Sequence, residues 1–162
     1  MISPKTAIAT ILFAAATSCL AAEPASTPIP PGFASTGADR SAIEALLESY
    51  TRAVSTKDQP LFETLLLNKD IPFSDAGSAI KGKGADGGTR RYESFRRGVF
   101  EGPAFTQKFQ DVHIVQDGPL ADVSLVFVNT ATDGSSWGWK TLQLLKVDGQ
   151  WKIASEFYTG HR

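Results

Sequence analysis

Residues 111–128 read DVHIVQDGPLADVSLVFV, two apolar runs broken once, at Asp117-Gly118. Glycine accepts the positive φ that a tight reversal demands, so Asp-Gly between apolar runs is the strongest short-range hairpin signal. Beyond it, Ala121, Val123, Leu125 and Phe127 alternate with Asp122, Ser124, Val126 and Val128. That period of two predicts a strand with one apolar and one mixed face. The dipeptide recurs at Asp133-Gly134 and Asp148-Gly149. Three reversals predict four strands, about 105–116, 120–130, 136–147 and 151–159, joined as an antiparallel meander.

Upstream the period changes. Ile43, Leu46, Leu47, Tyr50 and Val54 share one helical face, and Ser41-Ala-Ile-Glu44 has the form of a capping box at its start. Asp58 suits the cap of a second helix with Pro60 in its first turn and Leu61, Phe62, Leu65 and Leu66 buried. Residues 71–80 suggest a short strand pair turning at Asp75-Ala-Gly77, and 92–100 a third helix. Apolar helix stripes need a partner surface, and the meander offers it. The expected class is α+β, with three N-terminal helices packed on a strongly curved antiparallel sheet.

Between those segments, GKGADGG (82–88) fits G-x-G-x-x-G. A dinucleotide loop needs a buried parallel strand before it and a βαβ unit around it. Here a half-polar segment precedes it and a meander follows, so it reads as a crossing, placed to act as a lid at a pocket mouth. No cofactor is expected.

The ends of the chain add processing signals. Residues 1–22 combine Lys5, an apolar run over 7–16 and small residues at Ala21 and Ala22, the layout of a secretory signal peptide. The protein is therefore expected to be exported, periplasmic or secreted. Cys19, the lone cysteine, leaves lipidation as an alternative fate, although the usual Leu three residues earlier is missing. Residues 23–38 are rich in Pro and Gly and read as a flexible linker, leaving 39–162 as the folded domain. Loss of residues 1–22 leaves 15 basic against 17 acidic residues, a net of −2. That balance gives no reason to expect nucleic acid or an anionic membrane as partner.

Three segments carry a family likeness: AIEALLESYTRAVSTKD (42–58), DVHIVQDGPLADVSLVFV (111–128) and LQLLKVDGQWKIASEFYT (142–159), the last with its Gly-x-Trp-Lys-Ile. Together they resemble the nuclear transport factor 2-like (NTF2-like) superfamily, also called SnoaL-like. Exported bacterial members are often described as lumazine-binding or SnoaL-like. The resemblance implies a cone-shaped fold with an apolar pocket at its wide mouth and a sheet whose outer face pairs two subunits as a homodimer. Its members include isomerases, cyclases, dehydratases and non-catalytic binding modules, so the fold leaves the chemistry open.

Proton transfer next to a carbonyl needs a carboxylate base in an apolar pocket and a donor for the developing enolate. Asp75 is one candidate, although Asp in Asp-Ala-Gly also bonds its own backbone in turns. The Asp111–His113 pair is another, unless it lies on the polar side of its strand, opposite Val112 and Ile114. Trp137 and Trp139 share a face and suit ligand stacking, a dimer interface or plain packing. Glu156 and Tyr158 share a face of the last strand and suit either the cavity or the exposed side. Tyr92 and Arg96 lie on the third helix, where Arg90, Arg91, Arg96 and Arg97 could meet an anionic ligand or be balanced by Glu93 and Glu101. His161 is expected to fray. No metal-ligand spacing emerges. Three functions remain: binding of a small apolar or aromatic molecule, proton-transfer catalysis, or a dimeric interaction module.

Overall fold

A computed structural model describes residues 31–82 and 91–162. Residues 1–30 and 83–90, which hold the stretch read as an export signal, part of the expected linker, the rest of the Gly-rich crossing and Arg90, lie outside the described residues.

Helix α1 spans Gly37–Thr56 and buries Ile43, Leu46, Leu47, Tyr50, Ala53 and Val54, the expected stripe. Its start differs from the capping-box reading. The helix begins one turn earlier, so Ser41 Oγ donates to the Gly37 carbonyl at 3.3 Å and Glu44 pairs with Arg40 at 2.9 Å. Its end is a left-handed Lys57, with φ 59°. Asp58 N–H donates to Ala53 O at 2.8 Å and Lys57 N–H to Val54 O at 3.4 Å, a Schellman pattern. Helix α2, Gln59–Thr64, is capped as expected: Asp58 accepts from Leu61 N–H at 2.9 Å.

The expected early hairpin is instead a strand followed by a helix. Strand β1, Phe73–Asp75, lies parallel to the last strand, and α3, Ala76–Lys81, follows directly. The Asp75 carboxylate accepts from Ser78 N–H at 2.7 Å and so caps α3. Asp-Ala-Gly suits a hairpin turn and a helix start equally; the exposed edge of the sheet decides between them. Helix α4, Tyr92–Arg96, runs into a π-helical turn, Arg97–Glu101.

Strands β2 (Thr106–Asp117), β3 (Leu120–Ala131), β4 (Gly134–Val147) and β5 (Gln150–Tyr158) form the meander. The order across the sheet is β1-β5-β4-β3-β2. Asp148 and Gly149 both have positive φ, 48° and 77°, the type I′ geometry that matches strand twist. The helices cover one face of this curved sheet. Tyr50, Phe62, Phe73 and Phe95 form an aromatic core, with Tyr50–Phe62 centroids 4.8 Å apart and Phe73–Phe95 also 4.8 Å apart. No helix among the described residues is long and apolar enough to cross a membrane.

Two irregularities reset which residues face inward. On β2 the register shifts between Gln110 and His113, and Asp111 takes φ 49°. On β5 the register shifts opposite Gln143 and Leu144, leaving Ala154 surplus. Each is a bulge, and each flips the alternation of side chains after it.

Candidate functional site

Alternation along β4 puts Gly138, Lys140, Leu142 and Leu144 on the inner face. Lys140 is therefore drawn into the core with two leucines, and its side chain is 3% exposed. On β5, Trp151 and Ile153 face inward; after the Ala154 bulge so does Glu156, which is fully buried. The register pairs Leu142 with Glu156 and Lys140 with Tyr158. Tyr50 reaches the same point from α1.

The three side chains form one cluster. Lys140 Nζ lies 2.8 Å from Glu156 Oε1 and donates to the Tyr50 hydroxyl at 2.5 Å. The Tyr50 hydroxyl donates to Glu156, 2.9 Å from Oε2 and 3.1 Å from Oε1. Aromatic faces surround the ammonium: Tyr50 at 4.4 Å, Phe127 at 5.3 Å and Phe109 at 5.5 Å from the ring centres. Burial pushes the Glu156 carboxyl up, against the pull of Lys140 and Tyr50. Burial pushes the Lys140 ammonium down, against the pull of Glu156. The Tyr50 phenol is pushed well up by burial and then by the Glu156 charge.

A cavity of about 340 Å³ adjoins the cluster. Phe95, Val99, Phe105, Phe127 and Tyr158 give it apolar walls; Lys140, Glu156, Gln107 and Asn129 give it polar points. Such a mix, apolar with few convergent polar groups, is the usual make-up of a small-molecule site. The π-helical turn supplies Gly98 and Val99 to one wall. Lys57 holds this turn by donating to the carbonyls of Val99, Gly102 and Pro103.

The structure brings some of the sequence candidates together and separates others. Glu156 and Tyr158 line the cavity. Trp137 and Trp139 lie on the opposite face of β4, 52% and 54% exposed, away from the cavity. Asp111 and His113 are exposed around the β2 bulge. Asp75 is committed to the α3 cap. Tyr92 is buried in the aromatic core, and its hydroxyl donates to Glu63 at 3.3 Å. Arg96 pairs with Glu93 at 2.9 Å and Glu101 at 2.8 Å. His161 does not fray: it exchanges two backbone hydrogen bonds with Trp137 and stacks on its ring at 4.5 Å. Lys140, Gln107 and Asn129 escaped the sequence reading. For Lys140 a signal exists, since it is in phase with Leu142 and Leu144.

Among the described residues, helices on one face of a five-stranded, mostly antiparallel curved sheet, with a part-polar cavity between helices and sheet, define an α+β cone. The chain has the NTF2-like fold, also termed cystatin-like. Rv3472 of Mycobacterium tuberculosis, whose function is unknown, matches with TM-score 0.60 and 21% identity over 76% of each chain. A Novosphingobium aromaticivorans protein given the provisional name scytalone dehydratase matches with TM-score 0.60 and 17% identity, over 76% of this chain and 84% of its own. An NTF2-like protein of unknown function from Pseudomonas putida matches with TM-score 0.60 and 18% identity, over 74% and 84%. No protein-family model matches the chain, and no curated protein does.

Proposed function

We propose that the chain binds a small, largely apolar or aromatic molecule in the cavity of its cone, with a polar end of the ligand turned to Lys140 and Glu156. The observation that carries this reading is the buried Lys140–Glu156 pair on the cavity wall, with Tyr50 hydrogen-bonded to both partners. A buried ion pair is weak support for stability, since well-packed apolar residues do as well or better in its place. Placed where a ligand can reach it, the pair supplies orientation instead. The export signal read in residues 1–22 would put this site outside the cytoplasm. Native mass spectrometry of protein gently purified from an exporting bacterial host tests both points. Expected are a processed N-terminus and an extra mass that leaves on mild activation, absent from the Lys140→Met/Glu156→Leu double variant. An unclipped chain of bare mass would count against both.

A second reading is proton transfer next to a carbonyl, as in an isomerase, cyclase or dehydratase. It is favoured by one carboxylate and one phenol converging at 2.9 Å beside the cavity. The base would be Glu156 rather than Asp75 or His113, which lie elsewhere. Solvent-deuterium exchange at the α-carbons of 2-tetralone, catalysed by the wild type and lost in Glu156→Gln, is its expected mark. Exchange equal in both proteins removes it.

The outer face of the sheet suggests a homodimer. Trp137, Trp139 and Phe157 are exposed there, next to Val126 and Val128 on β3. Exposed aromatics clustered on one face mark interaction surfaces. Sedimentation should show a dimer for the wild type and a monomer for Trp139→Glu.

A further inference from the structure

Gln107 enters the cavity from β2, 8% exposed. Its position is fixed from two sides. Its backbone N–H donates to Ser55 Oγ on α1 at 2.9 Å. Its side-chain Nε2 donates to Asn129 Oδ1 at 2.8 Å, and Asn129 Nδ2 donates to Ser136 Oγ at 3.3 Å. Both donors of this short chain thus point away from Gln107, toward β3 and β4. The Gln107 Oε1 atom is left buried, with no hydrogen-bond partner among the described residues. Folded proteins leave few buried polar atoms unpaired, because each one costs about as much as a tenfold change in a binding constant. This one belongs to a residue lining a 340 Å³ cavity.

Resting on the ligand-binding reading, we infer that the ligand carries a hydrogen-bond donor, a hydroxyl or N–H, and that Gln107 Oε1 receives it. The ligand class is then an aromatic or alicyclic molecule recognised at two points. One polar edge meets Lys140 and Glu156; the donor meets Gln107, from the neighbouring part of the wall. Asn129 is a positioning residue: it turns the Gln107 amide so that its oxygen is the free end.

Two probes of equal ring size test the inference, 2-naphthol and 2-methoxynaphthalene, titrated by their own fluorescence. Methylation removes the donor and adds one methyl group, so the preference is read against the same pair of probes on Gln107→Met. The wild type should bind 2-naphthol about tenfold more tightly, the worth of one pairing with a buried acceptor. Gln107→Met should bind the two alike. Equal binding by the wild type, or a preference for the methoxy compound, overturns the inference while leaving the ligand-binding reading in place. So does a preference that survives in Gln107→Met. Failure of both probes to bind the wild type counts against the ligand-binding reading and this one together. Should Gln107→Met not fold, Gln107→Ala takes its place in the comparison, and equal binding of the two probes by the wild type still overturns the inference.

Discussion

Lys140 and Lys146 stand six residues apart on β4, in the same phase, and each meets a carboxylate. Lys146 pairs with Asp39 at 2.6 Å, where both side chains keep about a third of their surface in water, 34% and 29%. Asp39 also accepts from Gln116 at 2.9 Å and Trp151 at 3.3 Å. This cluster clamps the start of α1 to the sheet. Lys140 pairs with Glu156 where almost no water reaches. A half-exposed pair gives up little hydration to form and contributes modestly. A buried pair surrenders hydration on both charges and barely recovers it. One strand thus carries a structural clamp near its end and, at its middle, a site that burdens stability.

The comparison breaks most sharply at Glu156. Glu156→Leu strands the Lys140 ammonium among aromatic rings, and stability should fall by about 3–5 kcal/mol, measured by urea unfolding. Replacing both partners should reverse the sign. Lys140→Met/Glu156→Leu should be as stable as the wild type, or more stable by about 1–4 kcal/mol, while losing the retained ligand. A double variant as weak as the single one would mean that the pair does hold the fold. The smallest effect belongs to Lys146→Met. Asp39 is held below its ordinary 3.8, first by Lys146 and then by Gln116. A lowered folded-state pKa gives stability that is present above 3.8 and lost as the pH falls through the lower folded value. Lys146→Met should therefore be slightly weaker than the wild type near neutrality, and the gap should close in acid. Urea midpoints at about pH 7 and about pH 2 read this directly.

The fold was legible because its signals are local. Each Asp-Gly step marks a reversal without reference to anything distant, and the stripe Ile43 to Val54 declares its helix by spacing alone. The site was less legible because it depends on phase. Glu156 and Tyr158 could be seen to share a face, but which face depends on Ala154, and nothing in KIASEFY announces a bulge. Asp75 was ambiguous because its role is set by β5, eighty residues away along the chain. Lys140 was readable in principle: a lysine in step with Leu142 and Leu144 must either distort the strand or go inside. Gln107 could not be foreseen, since its significance lies in a missing partner, and only coordinates show that.

The surplus residue in β5 bears on how such chains can be aligned. Counted in regular alternation from Trp151, the interior positions would be Ser155 and Phe157, which gives a drier wall closed by an aromatic ring. Counted past Ala154, they are Glu156 and Tyr158. Equivalence along this strand therefore follows the hydrogen-bond register with β4, and an alignment by residue count from the Asp148-Gly149 turn exchanges the inside of the cone for its outside. At identities near 20%, a role carried to this strand from a chain without the bulge belongs to the wrong residue unless the bulge is aligned first.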